Sequence, residues 1–203
     1  EATNHYFKHL GVSDGLSQVC IPSIYQDELG AVWLGTTEGL NRYNGKDVRV
    51  FQPSESNHGL TNNEINELCG DKNGRMYIRS GNDLIKLDIY TEQFTCLRQK
   101  GVYGLFCKKD TLWVSCADGI YYYTGQGTEL TFFARVQKGF VGRALYVDKE
   151  TVWVVTRKYL VAISREDPLR QEILLTLDKG NCILGDSSGN IWVGAWNGLY
   201  RVS

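Results

Sequence analysis

Short apolar runs, each broken by polar or glycine-rich stretches, recur along the whole chain. "VWLGT", "MYIRS", "LWVSC", "VWVVT" and "IWVGA" are rich in aliphatic, largely β-branched, and aromatic residues, the composition of strands that bury at least one face. No segment shows the 3.6-residue apolar recurrence of an amphipathic helix. Each run holds an aromatic anchor, Trp33, Tyr77, Trp113, Trp153 or Trp192, with steps of 44, 36, 40 and 39 residues between them. Six positions after the anchor stand Gly39, Asp83, Gly119, Tyr159 and Gly198, and an aliphatic residue always follows: Leu40, Leu84, Ile120, Leu160, Leu199. An interval that never varies implies one fixed geometry: a strand, a tight turn that often needs positive φ, and a second strand re-entering the core.

The flanking segments complete the unit. Upstream, "YQDELGAVW", "CGDKNGRMY" and "GDSSGNIW" carry Asp-x-x-Gly shortly before the anchor, which is hairpin-loop chemistry. Each unit then reads as strand A ("IPSIYQD", "INELCGD", "YGLFCKK", "GRALYVD", "NCILGD"), strand B with the anchor, strand C ("GLNRY", "DLIKL", "GIYYY", "YLVAI", "GLYRV") and strand D ("DVRVFQ", "EQFTCL", "ELTFFA", "QEILL"). Four short strands every 40 or so residues predict an all-β fold, a β-propeller. The repeats span approximately 17–52, 61–98, 101–135, 139–177 and 180–203 within a single propeller domain or fragment. The anchors are expected to be wedges between neighbouring blades. The fifth unit has no strand D, and "YFKHLGVSDGL" aligns with "VFQPSESNHGL" at a shift of 44 residues, so 5–10 is expected as a spare outer strand. Five units plus that strand could close a ring, or be part of a larger one.

Composition narrows the function more than the fold. The 203 residues carry a net charge of −1 and 42% hydrophobic content; without a Lys/Arg cluster, nucleic acid and membrane surfaces are not expected partners. No apolar run approaches the length of a membrane helix. Six cysteines, at 20, 69, 96, 107, 116 and 182, show no metal-ligand or redox spacing; several sit in apolar runs and read as core thiols ahead of a disulfide framework. His5, His9 and His58 have no ligand partners at suitable spacing and read as surface residues. No catalytic motif, phosphate loop or cofactor signature is present. Asp27, Asp71, Asp110, Asp148 and Asp186 could suggest paired-carboxylate chemistry, yet residues repeated in every unit serve the unit. No catalytic, cofactor or metal residue is assigned.

The wording "GLSQVCIPSIYQDELGAVWLGTTEGLNRYNG" resembles the two-component regulator propeller repeat: Asp-x-x-Gly, aliphatic-Trp-aliphatic-Gly-Thr, then Gly-Leu-x-x-Tyr. The opening "YFKHLGVSDGLS" is similar to the start of hybrid two-component sensors of Bacteroides-type bacteria. The resemblance implies seven-bladed propellers in a periplasmic sensor region of an inner-membrane histidine kinase that responds to oligosaccharides. The segment would then be non-enzymatic, with the remaining sensor domains, an oligosaccharide and a second copy as partners.

Ligand contacts are expected where the repeat is broken on the face built by B–C and D–A loops. The aligned B–C residues are Thr37, Gly81, Ala117, Arg157 and Trp196. Trp196 could stack on a sugar or fill a partner's pocket, or else cover the core rim. Arg157, Lys158, Asn197 and Tyr103 could flank it with donors. The alternative reading is a self-contained five-bladed lectin, which should repeat its sugar contacts in every blade; the aligned positions here are dissimilar.

Overall fold

The computed structural model describes residues 6–53 and 59–202 and is a β-propeller. Its sheets are antiparallel meanders. Blade 1 holds β1 (Ser23–Gln26), β2 (Val32–Thr36), β3 (Gly39–Tyr43) and β4 (Val48–Phe51). Blade 2 holds β5 (Ile65–Gly70), β6 (Arg75–Ser80), β7 (Asp83–Asp88) and β8 (Gln93–Arg98). Blade 3 holds β9 (Val102–Lys108), β10 (Thr111–Cys116), β11 (Gly119–Tyr123) and β12 (Thr131–Ala134). Blade 4 holds β13 (Gly142–Val147), β14 (Thr151–Thr156), β15 (Tyr159–Ser164) and β16 (Gln171–Thr176), and the three-stranded blade 5 holds β17 (Cys182–Gly185), β18 (Ile191–Ala195) and β19 (Gly198–Val202). The first strands of successive blades are neighbours and form the inner wall.

The core is divided among the blade junctions. Trp33, Leu40 and Phe51 on the front face of blade 1 meet Leu68, Ile78 and Ile85 on the back face of blade 2. Tyr77 and Leu84 meet Val114 and Tyr123 at the next junction, Trp113 and Ile120 meet Val152 and Val161 at the third, and Trp153 and Leu160 meet Ile191 and Val193 at the fourth. The anchors at the four junctions are therefore wedges, Trp33 and Tyr77 with no exposed surface at all.

No core cluster or strand pairing among the described residues joins blade 5 to blade 1. On the back of blade 1 Ile24 is 65% exposed, and on the front of blade 5 Leu184 is 64% and Leu199 68% exposed. Cys182 lies on that same front face and is exposed, unlike the core thiol expected of it, because no blade covers it. The described cysteines are all free.

Residues 6–10 form no strand, and residue 5 lies outside the described residues. Instead of pairing with β19 they run beside blade 1, where Lys8 donates to the Tyr43 hydroxyl at 3.1 Å. Downstream, the Ser17 amide donates to Asn41 Oδ1 at 2.9 Å and Leu16 is buried, so this segment covers part of the back of blade 1.

The B–C turn shows what the invariant interval is for. Gly39 adopts φ +124°, and a Cβ there would lie 2.7 Å from the Phe51 carbonyl oxygen of β4. Gly198 has φ +138° but nothing within 4 Å, since β19 has no strand beyond it. Gly39→Ala is expected to cost about 1–3 kcal/mol through strain and crowding together, and Gly198→Ala clearly less; urea unfolding of both variants checks the order.

Candidate functional site

The recurring aspartates prove to be framework groups. Asp27 Oδ1 accepts from the Ala31 amide at 2.8 Å and its Oδ2 accepts from Trp33 Nε1 at 2.7 Å. Asp148 repeats this with the Glu150 and Thr151 amides and Trp153 Nε1, and Asp186 with the Ser188 and Asn190 amides and Trp192 Nε1. One carboxylate thus closes the A–B loop and fixes the indole of its own blade. The indole and amide bonds hold the Asp186 carboxyl at about 2. At Asp148 burial opposes ionisation, but the Trp153 and amide hydrogen bonds outweigh it and keep the carboxyl below its ordinary value.

Blades 2 and 3 vary the device. Tyr77 replaces the indole, the Arg75 guanidinium takes Asp71 Oδ2, and the Tyr77 hydroxyl is buried without a partner. Asp110 is exposed and accepts from Asn73 Nδ2 of the neighbouring blade, while Trp113 has the Arg165 guanidinium 5.7 Å from its ring.

Chemistry that departs from the repeat gathers at the inner wall. On three consecutive inner strands the register with the second strand slips by one residue: at Asn66 in β5, Tyr103 in β9 and Arg143 in β13. A bulge re-aims the extra side chain, and here all three line a central cavity of about 540 Å³ with Glu67, Arg79 and Asn181. Arg79 occupies the position that is Gly35 in blade 1; its Nε donates to Glu67 Oε2 at 3.4 Å, and the Leu105 amide donates to the same oxygen at 3.2 Å. Burial pushes the Glu67 carboxyl up to about 7, against the pull of Arg79 and the Leu105 amide.

A second cavity of about 390 Å³ opens between blades 3 and 4, lined by Tyr103, Phe140, Arg143, Thr156, Arg157 and Lys158 among others. It shares Tyr103 and Arg143 with the central cavity. The structure therefore brings Tyr103, Arg157 and Lys158 together. Trp196 and Asn197 stand one blade on and do not line this cavity. Trp196 is 74% exposed, its amide donates to the Asp178 carbonyl at 2.9 Å, and Lys179 Nζ lies 3.8 Å from its ring centroid. Asn197 Nδ2 donates to the Tyr200 hydroxyl at 2.7 Å. The connecting loop is tied to blade 4 by the Gly180 amide donating to the Arg157 carbonyl at 3.0 Å.

Arg143 and Phe140 are the site residues that sequence reasoning missed. The signal for Arg143 was a charge inside an inner strand, "GRALYV", whose meaning depends on the bulge. His9 is exposed, and His5 and His58 lie outside the described residues. Among the described residues no group of three or more His, Cys, Asp or Glu could hold a metal, and no helix is long and apolar enough to cross a membrane.

Residues 15–38, which run through β1, β2 and the B–C turn of blade 1, match the family described as two component regulator propeller. A 50-residue stretch is 38% identical to "Histidine kinase P4" of Formosa agariphila, covering 25% of this chain and 4% of that protein. Two solved structures share the fold, both described as extracellular domains of hybrid two component systems from B. thetaiotaomicron. One has a TM-score of 0.84 at 23% identity over 97% of this chain and 30% of its own; the other has 0.75 at 19% identity over 98% and 32%. The chain thus spans under a third of each of these proteins. At such identities the structural likeness is one of fold, and the likeness to the repeat family rests on the blade 1 match.

Proposed function

We propose that this chain is a propeller segment of the periplasmic sensor region of a hybrid two-component histidine kinase, responding to oligosaccharides and performing no chemistry itself. The observation that carries this reading is the division of labour among the polar groups. In blades 1, 2, 4 and 5 the repeated carboxylate is engaged by its loop amides and by an indole or guanidinium, whereas Tyr103, Arg143, Arg157 and Lys158, which break the repeat, line open, adjoining cavities at the axis and between blades 3 and 4. Hydrogen-bond donors beside aromatic rings suit a sugar. A ligand acts as a signal only by binding one arrangement of the receptor better than another, and a cavity built between two blades is placed to sense their relative position.

A self-contained five-bladed lectin would need a fifth blade junction and a sugar contact in every blade. The open faces at Ile24, Leu184 and Leu199 and the dissimilar B–C turns weigh against it.

Thermal unfolding of the intact protein across an oligosaccharide panel tests the reading, since a ligand of the native state raises apparent stability by mass action. One class of saccharide is expected to raise the midpoint, with about one site per chain by calorimetry. A panel without any shift would overturn the sensing role, and equal sites in each blade would favour the lectin.

A further inference from the structure

We propose that the cavity between blades 3 and 4 binds the negatively charged group of an acidic saccharide, a carboxylate or a sulfate; the saccharide part rests on the function proposed above. Arg143, Arg157 and Lys158 line this cavity, and no Asp or Glu does. Arg143 arrives from the bulge of β13, while Arg157 and Lys158 form the B–C turn of blade 4, so two independent pieces of backbone converge to place positive charge together. The chain as a whole has a net charge of −1, so the concentration is local. Like charges that share one cavity repel, and a bound anion lowers that cost.

Carboxylate partners are what these cations lack, and Lys158 Nζ lies over the Tyr159 ring, 5.5 Å from its centroid. Among the described residues neither Arg143, Arg157 nor Lys158 makes an ion pair, whereas Arg42, Arg49, Arg75, Arg79 and Arg98 each face a carboxylate within 4 Å. Guanidinium forks suit planar carboxylates and the oxygen array of a sulfate, often in bidentate fashion. The turn also stands apart from its counterparts. The second turn position is Glu38, Asn82, Asp118 and Asn197 in the other blades, and only blade 4 places two cations there. Beside the charge lies aromatic surface: Phe140 and Tyr159 meet edge to face at 4.9 Å, and both Phe140 and Tyr103 line the cavity. A charged corner next to aromatic surface matches a sugar ring bearing an acidic substituent better than a bare ion or a neutral sugar.

The test is calorimetric titration of the intact protein with trigalacturonate and its methyl ester, a sulfated galactan tetrasaccharide and its desulfated form, and sodium sulfate. One acidic saccharide is expected to bind at least about tenfold more tightly than its neutral form, with affinity falling as salt rises. Arg143→Ala and Lys158→Glu should each weaken it about 10- to 100-fold, the loss of a charge-assisted hydrogen bond, while Lys158→Arg retains it; unchanged thermal midpoints show that the variants fold. Preference for carboxylate or sulfate is read from which pair discriminates. Equal binding of acidic and neutral forms, or full affinity in both charge variants, overturns the charge assignment and leaves the sugar reading standing. Sulfate binding that depends on Arg143 while no saccharide binds keeps the anion site and removes the saccharide. No binding of any probe overturns both.

Discussion

Trp33→Ala is expected to lower the free energy of unfolding by about 3–5 kcal/mol, the range for deleting a large buried aromatic. The indole has no exposed surface and packs 5.6 Å from the Phe51 ring within the junction of blades 1 and 2. Its loss also strands Asp27, which is buried and accepts the indole N–H at 2.7 Å. A buried carboxylate oxygen left short of a donor adds its own cost. Trp33→Phe should recover most of the packing but not the hydrogen bond, and so fall between. Trp192→Ala should cost clearly less, because that indole lies on the open front of blade 5 beside Arg201, and Asn190 Nδ2 still serves Asp186 Oδ2. At the matching position in blade 2 the expectation reverses. Tyr77→Phe should be neutral or stabilising, since the hydroxyl it removes is buried without a partner. Equilibrium urea unfolding of these variants decides the matter; a Trp33→Ala effect no larger than that of Trp192→Ala would refute the wedge role.

Glu67 should make the protein less stable as pH rises. Burial lifts its carboxyl from 4.5 to about 7, so between those values the native state holds a proton that the unfolded chain has released. The sign follows: the stabilising contribution of the protonated group is complete below pH 4.5, declines as pH climbs, and is lost above pH 7. Each tenfold in proton affinity is worth about 1.4 kcal/mol. With the side chain 30% exposed and partly screened, the net change is about 1–3 kcal/mol. Glu67→Gln keeps an acceptor for the Leu105 amide and Arg79 but cannot ionise, so it should flatten the pH dependence and stabilise the protein by that amount at pH 8. Unfolding free energies of both proteins at pH 5, 6, 7 and 8 read the difference directly; parallel curves would show that Glu67 does not titrate in this window.

The two predictions sit on opposite sides of what could be read from the chain. The Trp33 wedge was visible because local rules repeat: an anchor, six residues, a turn, an aliphatic residue, with Asp27 ahead of it. The hydrogen bond from indole to aspartate was not visible, although both partners were, because it depends on how the A–B loop folds over strand B. Glu67 carries no signal in the sequence, since "INELCGD" shows only a strand A and nothing in it sets this acid apart. What makes it unusual is burial against the bulged inner wall, which outweighs the opposing pull of Arg79 and the Leu105 amide from neighbouring strands.

The candidate site divides in the same way. Arg157 was found because it departs from its counterparts in the repeat, Tyr103 and Lys158 as flanking donors, and the three share a cavity. Trp196 was found by the same reasoning and lies outside that cavity, because B–C turns of adjacent blades are separated by a blade width. Arg143 and Phe140 were missed, since their positions follow from a register slip and a D–A loop rather than from composition.

By itself the sequence determined the blade, its strands and its turns, because those arise from contacts between residues a few dozen positions apart and recur often enough to be recognised. Which faces remain uncovered, which carboxyl is starved of water and which cations converge were decided only by the tertiary structure. They depend on the angle between blades and on single-residue shifts of strand register, and an added residue in one strand re-aims its side chain without leaving a periodic trace in the chain.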